Sequence, residues 1–160
     1  MLARLLIVVC TLGCLPHRVV AQASSPLTYR VEGDGIPQPL TAVPGNAQNG
    51  REVALHPQRG NCLACHRLPL PDAAIFSDIA PPLDTVGQRL SEAQLRLRLV
   101  DPKRLQPHTL MPAYYKLTDL HRVGPRYRER PILQAQEVED VVEELAASLG
   151  LAISRRFSRG

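Results

Sequence analysis

Five consecutive residues, Cys62-Leu63-Ala64-Cys65-His66, place two thiols three positions apart with an imidazole directly after the second. In this C-x-x-C-H order the thiols can add to the two vinyl groups of one porphyrin as thioethers. The imidazole then reaches the iron from the proximal side. The pattern predicts one covalently bound haem c, held by Cys62 and Cys65, with His66 as an iron ligand. Other uses of the same residue types fit less well. A thioredoxin-like pair needs a surrounding βαβ pattern, which is absent. A zinc site needs further ligands at recognisable spacing, and no second Cys or His pair exists outside the first 23 residues. A structural disulfide has no need of the histidine that follows.

A second axial ligand narrows to few residues. The chain has two methionines, Met1 and Met111, and Met111 stands before Pro112 on the C-terminal side of the haem motif. A methionine opposite histidine is the pairing of electron-transfer cytochromes, because the soft sulfur suits ferrous iron and raises the potential. His56 lies too near the motif to swing across the ring. His108, three residues before Met111, leaves bis-histidine ligation open, as does an exchangeable position suited to sensing or peroxide chemistry.

The first 23 residues read as an address. Arg4 precedes the apolar run Leu5 to Leu15, and Ala21-Gln22-Ala23 is an A-x-A cleavage site, the layout of a secretory signal peptide. The run is shorter than the roughly 20 residues a membrane span requires. Cleavage would remove Cys10 and Cys14, leaving Cys62 and Cys65. It would also remove two arginines from a net charge of +4, and the small balance left suggests no nucleic-acid partner.

Residues 24–45, rich in Pro and Gly, predict an extended arm without helix. Asn46 or Asn49 is placed to cap a short helix through Leu55, with Gly50, Val53 and Ala54 on one face. A Pro-rich loop fills 67–90. Ser91 and Gln94 form a capping box, yet Leu95-Arg96-Leu97-Arg98-Leu99 alternates like a strand. The cap before it and Asp101-Pro102 after it favour helix. An irregular stretch follows to about Pro131, of the kind needed to cover the open face of a haem. Val138, Val141, Val142, Leu145, Ala146 and Leu149 then trace one apolar face of a last helix. Glu137, Glu139 and Asp140 suit its positive end, and Gly150 is expected to end it. The domain reading is a signal peptide over 1–23, an arm over 24–45, a haem domain over 46–150 and a tail over 151–160. The fold class is all-α, with three or more short helices around one haem.

Larger tracts carry a resemblance. Gly35-Ile36-Pro37-Gln38-Pro39-Leu40-Thr41, the run from Gly60 to His66, Arg89-Leu90-Ser91 through Val100-Asp101-Pro102, Met111-Pro112-Ala113-Tyr114-Tyr115 and Pro131-Ile132-Leu133 through Val142 together resemble SoxX. SoxX is the mono-haem subunit of the SoxAX thiosulfate-oxidising complex, and the resemblance spans about residues 29 to 149. It implies a class I cytochrome c fold, a periplasmic location and a SoxA-like haem subunit as partner. That partner couples thiosulfate oxidatively to a cysteine of a SoxYZ-like carrier. This chain would receive the electrons and pass them to a small acceptor cytochrome. It would carry no substrate-bonding residue, and a free-standing electron carrier is the alternative. Two further roles follow from the wider cytochrome c family: the Pro81 carbonyl would hold the His66 ring, and Arg89 would meet a haem propionate. Ala80 departs from the family's usual glycine, and Ala54 and Leu145 stand where aromatics usually join the first and last helices. Arg122, Arg126, Arg128 and Arg130, with Tyr114 and Tyr115, are expected to form a docking surface for the partner subunit.

Overall fold

The helix after the arm begins where its cap is. Asn46 is extended (φ −115°, ψ 111°), and its side-chain oxygen accepts from the Asn49 N–H at 2.9 Å, opening α1 (Ala47–Leu55). In this computed structural model, residues 28–68 and 77–157 are described. The proposed signal peptide lies outside them. α1 is followed by a single helical turn, α2 (Val86–Arg89), then α3 (Glu92–Val100) and the long α4 (Ala135–Phe157). Among the described residues no strand forms. One isolated bridge joins Glu32 and Gly35, where Gly33 turns the chain at φ +59°.

The capping box at Ser91 and Gln94 is present, so the alternating leucines lie on α3. Leu95, Leu97, Leu99 and Val100 are all buried, and so is Arg96. A helix enclosed on most of its circumference loses the one-sided pattern that identifies a surface helix. α3 is enclosed because α4 packs on it while the arm and the Met111 loop bond its two ends. The Ile36 N–H donates to Ala93 O at 2.9 Å, and the Tyr114 N–H donates to Leu99 O at 2.9 Å.

Two acids expected to serve the dipole of α4 have tertiary partners instead. Glu139 is buried, with Oε1 and Oε2 each 2.8 Å from the Arg96 guanidinium, and Oε1 also accepts the Leu40 N–H at 2.9 Å. Arg96 Nη1 donates to Ile36 O at 2.8 Å. The neighbouring Asp140 accepts the Asn46 N–H at 2.9 Å and the Asn49 side-chain amide. Glu137 alone serves the helix start, accepting from the Gln134 N–H at 2.7 Å while pairing with Arg59.

Small residues set the helix crossings. A methyl group added at Gly50 would overlap the Asp140 carbonyl, and one at Gly87 would lie 2.7 Å from Leu145 O. α1 and α2 therefore touch the backbone of α4 directly, a contact made by the absence of a side chain at these two glycines. Three expectations require correction. α2 interrupts the loop expected over 67–90. The irregular stretch after Asp101 contains short 3-10 turns at Pro102–Arg104 and Pro125–Tyr127. α4 runs through Gly150 to Phe157 in place of a tail beginning at 151, because one interior glycine costs a helix only about 1 kcal/mol and no proline follows.

Replacing Arg96 with Met leaves the Glu139 carboxylate buried without its cation. Denaturant unfolding should show a loss of about 3–5 kcal/mol. A loss within about 0.5 kcal/mol, the scale of a surface substitution, would contradict this role for the pair.

Candidate functional site

The end of α1 winds the C-x-x-C-H residues into a turn. His56 caps the helix, and the Gly60 and Asn61 N–H groups return to Val53 O and His56 O at 3.0 and 3.1 Å. Asn61 takes the left-handed conformation (φ 49°, ψ 38°), which asparagine tolerates better than most residues. Cys62–Ala64 then form a 3-10 turn, and the N–H groups of Cys65 and His66 both donate to Cys62 O, at 3.1 and 2.8 Å. At three residues per turn, positions i and i+3 eclipse, which puts Cys62 and Cys65 on one side. Both thiols are free and half-buried. Burial pushes the Cys62 thiol up to about 11, against a hydrogen bond from its own backbone.

The segment from Ile79 to Leu83 packs back on this turn. Ala80 N–H donates to Cys65 O at 2.9 Å and Leu83 N–H to Arg67 O at 2.8 Å, bracketing Pro81. The Pro81 carbonyl lies 2.7 Å from His66 Nδ1. A carbonyl only accepts, so Nδ1 carries the proton and Nε2 keeps its lone pair for a metal. Arg67 pairs with Asp84 at 2.7 Å across the same seam. Arg89 is exposed and donates to Pro82 O at 3.1 Å, steadying the segment that fixes the imidazole.

Met111 is half-buried and packs against the core, and its N–H bonds Thr109 Oγ1 at 3.2 Å. His108 and His121 are exposed, as is His56, whose Nδ1 accepts from the Gln58 N–H. The residues after Met111 hold its loop. Tyr114 donates its hydroxyl to the buried Gly60 carbonyl at 2.7 Å. Burial, and then the nearby charges of Cys62 and Cys65, push that phenol well above its usual range. Tyr114 and Tyr115 are therefore interior residues, which corrects their expected place on a docking surface. Arg122, Arg126, Arg128 and Arg130 are exposed, and Arg126, Arg128 and Arg130 line a cleft with Pro125 and Glu129.

The donor set matches a covalently attached porphyrin: two thiols on one side of a turn, an oriented imidazole with Nε2 available, and one half-buried thioether. Among the described residues no three His, Cys, Asp or Glu side chains gather as a metal cage, as zinc would require. No protein-family model and no curated protein matches the chain. Among solved structures, the crystal structure of SoxXA from P. pantotrophus matches with a TM-score of 0.71 and 37% sequence identity, over 75% of this chain and 93% of that one.

The chain belongs to the SoxX family. Its fold is accordingly the class I cytochrome c fold, all-α as the sequence predicts. Sequence reasoning missed the bond from Tyr114 to Gly60, which joins positions 54 residues apart and leaves no local signal.

The left-handed turn before Cys62 can be tested by substitution. Asn61→Gly should leave unfolding stability within about 0.5 kcal/mol, whereas the β-branched Asn61→Val should cost about 1–2 kcal/mol. Equal stabilities would show that the turn does not require this conformation.

Proposed function

We propose that this chain is a periplasmic mono-haem cytochrome that accepts electrons within a SoxAX-type thiosulfate-oxidising complex. The observation that carries the reading is the His66–Pro81 contact on a C-x-x-C-H turn, in a chain of the SoxX family. Cys62 and Cys65 would bind the haem covalently, and His66 and Met111 would ligate its iron. Bound there, haem supplies a centre that gains or loses one electron at a time.

The chain's own residues set the conditions for that exchange. The Pro81 carbonyl fixes the His66 tautomer and ring orientation and leaves Nε2 free to bind a metal. Met111, half-buried against the core while His108 is exposed, favours histidine–methionine over bis-histidine ligation. Held by the packed fold, His66 and Met111 would limit rearrangement between redox states and would leave no open position for exogenous molecules. Arg89 uses one donor on Pro82 and has others with which to meet a propionate.

The partner follows from the family. The matched structure is a SoxXA, so a SoxA-like haem subunit is the expected companion. On that subunit, oxidative joining of thiosulfate to a carrier cysteine releases two electrons, which this chain would relay singly to an acceptor cytochrome. Among the described residues no helix is long and apolar enough to cross a membrane. The exposed arginines between Arg122 and Arg130 are the surface offered to the partner.

Met111→Ala should abolish the sulfur-to-iron charge-transfer band and let the reduced protein bind carbon monoxide; an unchanged spectrum would rule out sulfur ligation. Purification from cells grown on thiosulfate should yield the chain with a second haem protein, and a chain recovered alone would favour a free-standing carrier. Charge reversal at Arg126 and Arg128 together should slow association with that subunit roughly tenfold at low salt. An unchanged rate would remove the tract from the interface.

A further inference from the structure

We infer that Tyr114 is a positioning residue for the iron's second ligand, acting through the bond from its hydroxyl to the Gly60 carbonyl. The inference rests on the assignment of Met111 as that ligand. Tyr114 lies three residues after Met111, and Gly60 lies two residues before Cys62. Their 2.7 Å bond crosses 54 positions of sequence and is buried. Among the described residues it is the one hydrogen bond joining residues 105–116 to residues 56–66.

The rest of the anchoring of Tyr114 points elsewhere. Its N–H bonds Leu99 O at 2.9 Å, and its carbonyl accepts the Leu133 N–H at 3.0 Å. Those bonds tie the loop to α3 and to the entry of α4, without reference to the haem turn. Of these hydrogen bonds, only the hydroxyl's ties the loop to the turn that carries the thiols. The Gly60 carbonyl has no other partner among the described residues, so losing the hydroxyl leaves a buried acceptor unpaired. A loop freed at that point samples positions in which the sulfur is withdrawn. Tyr115, buried beside it, carries no side-chain hydrogen bond among the described residues and serves as the control.

The test uses the haem-bearing ferric protein and imidazole, which competes with the sulfur for iron and is read by loss of the charge-transfer band. Apparent imidazole affinity scales with the fraction of protein whose sulfur is withdrawn. Tyr114→Phe should bind imidazole about fivefold to tenfold more tightly, the effect of one net hydrogen bond. Tyr115→Phe should match the wild type. Tyr114→Phe protein that melts earlier but binds imidazole as the wild type does would mark a purely structural bond and overturn the inference. A wild type lacking the band would overturn the Met111 assignment and this inference with it. Should Tyr114→Phe fail to accumulate, protein labelled with 3-fluorotyrosine keeps the bond with a stronger donor. It should bind imidazole more weakly than unlabelled protein, and equal or tighter binding would contradict the inference.

Discussion

The buried pair between Arg96 and Glu139 is the constraint on which the rest depends. Two charges taken from water cost several kcal/mol each unless geometry and further hydrogen bonds compensate. Here both carboxylate oxygens face the guanidinium, and the remaining valences are used on backbone, at Ile36 O and Leu40 N–H. One interaction thus joins α3, α4 and the arm. The adjacent Asp140 does the same for α1 by satisfying the Asn46 N–H at its start. Two neighbouring acids on one helix therefore hold three elements in register.

That register delivers the site. α1 is pressed on α4 through Gly50, so its C-terminus is fixed, and the haem turn begins five residues beyond Leu55 at Gly60. Hydrogen bonds across Cys65, Arg67 and Pro81 then orient the imidazole. The loop bearing Met111 is held to the same turn by the bond from Tyr114 to Gly60. Charged and polar anchors do the positioning, while apolar residues from α1, α3 and α4 form the core between them. The C-x-x-C-H turn and the Met111 loop are thus held on one frame, while Arg122, Arg126, Arg128 and Arg130 stay exposed.

What could be read in advance divides by distance along the chain. Asn46 and Ser91 with Gln94 carry local signals, and each caps the helix expected of it; the C-x-x-C-H order is likewise a signal of adjacent residues. The strand-like leucines resolved to helix only through their cap, because α3 is buried nearly all round. The links Arg96–Glu139 and Tyr114–Gly60 join positions 43 and 54 residues apart, and no local spacing announces such pairs. α2 was missed because a four-residue helix whose Thr85 makes no capping bond has almost no signature. Gly150 misled, since a glycine weakens a helix without having to stop it.

The central claim is that Cys62 and Cys65 hold one haem covalently. Mass spectrometry on protein matured in cells that attach haem c tests it most directly. The account predicts that the peptide containing Cys62 to His66 carries the added mass of one haem after acid denaturation. Recovery of that peptide with both cysteines unmodified, or bonded to each other, would contradict it.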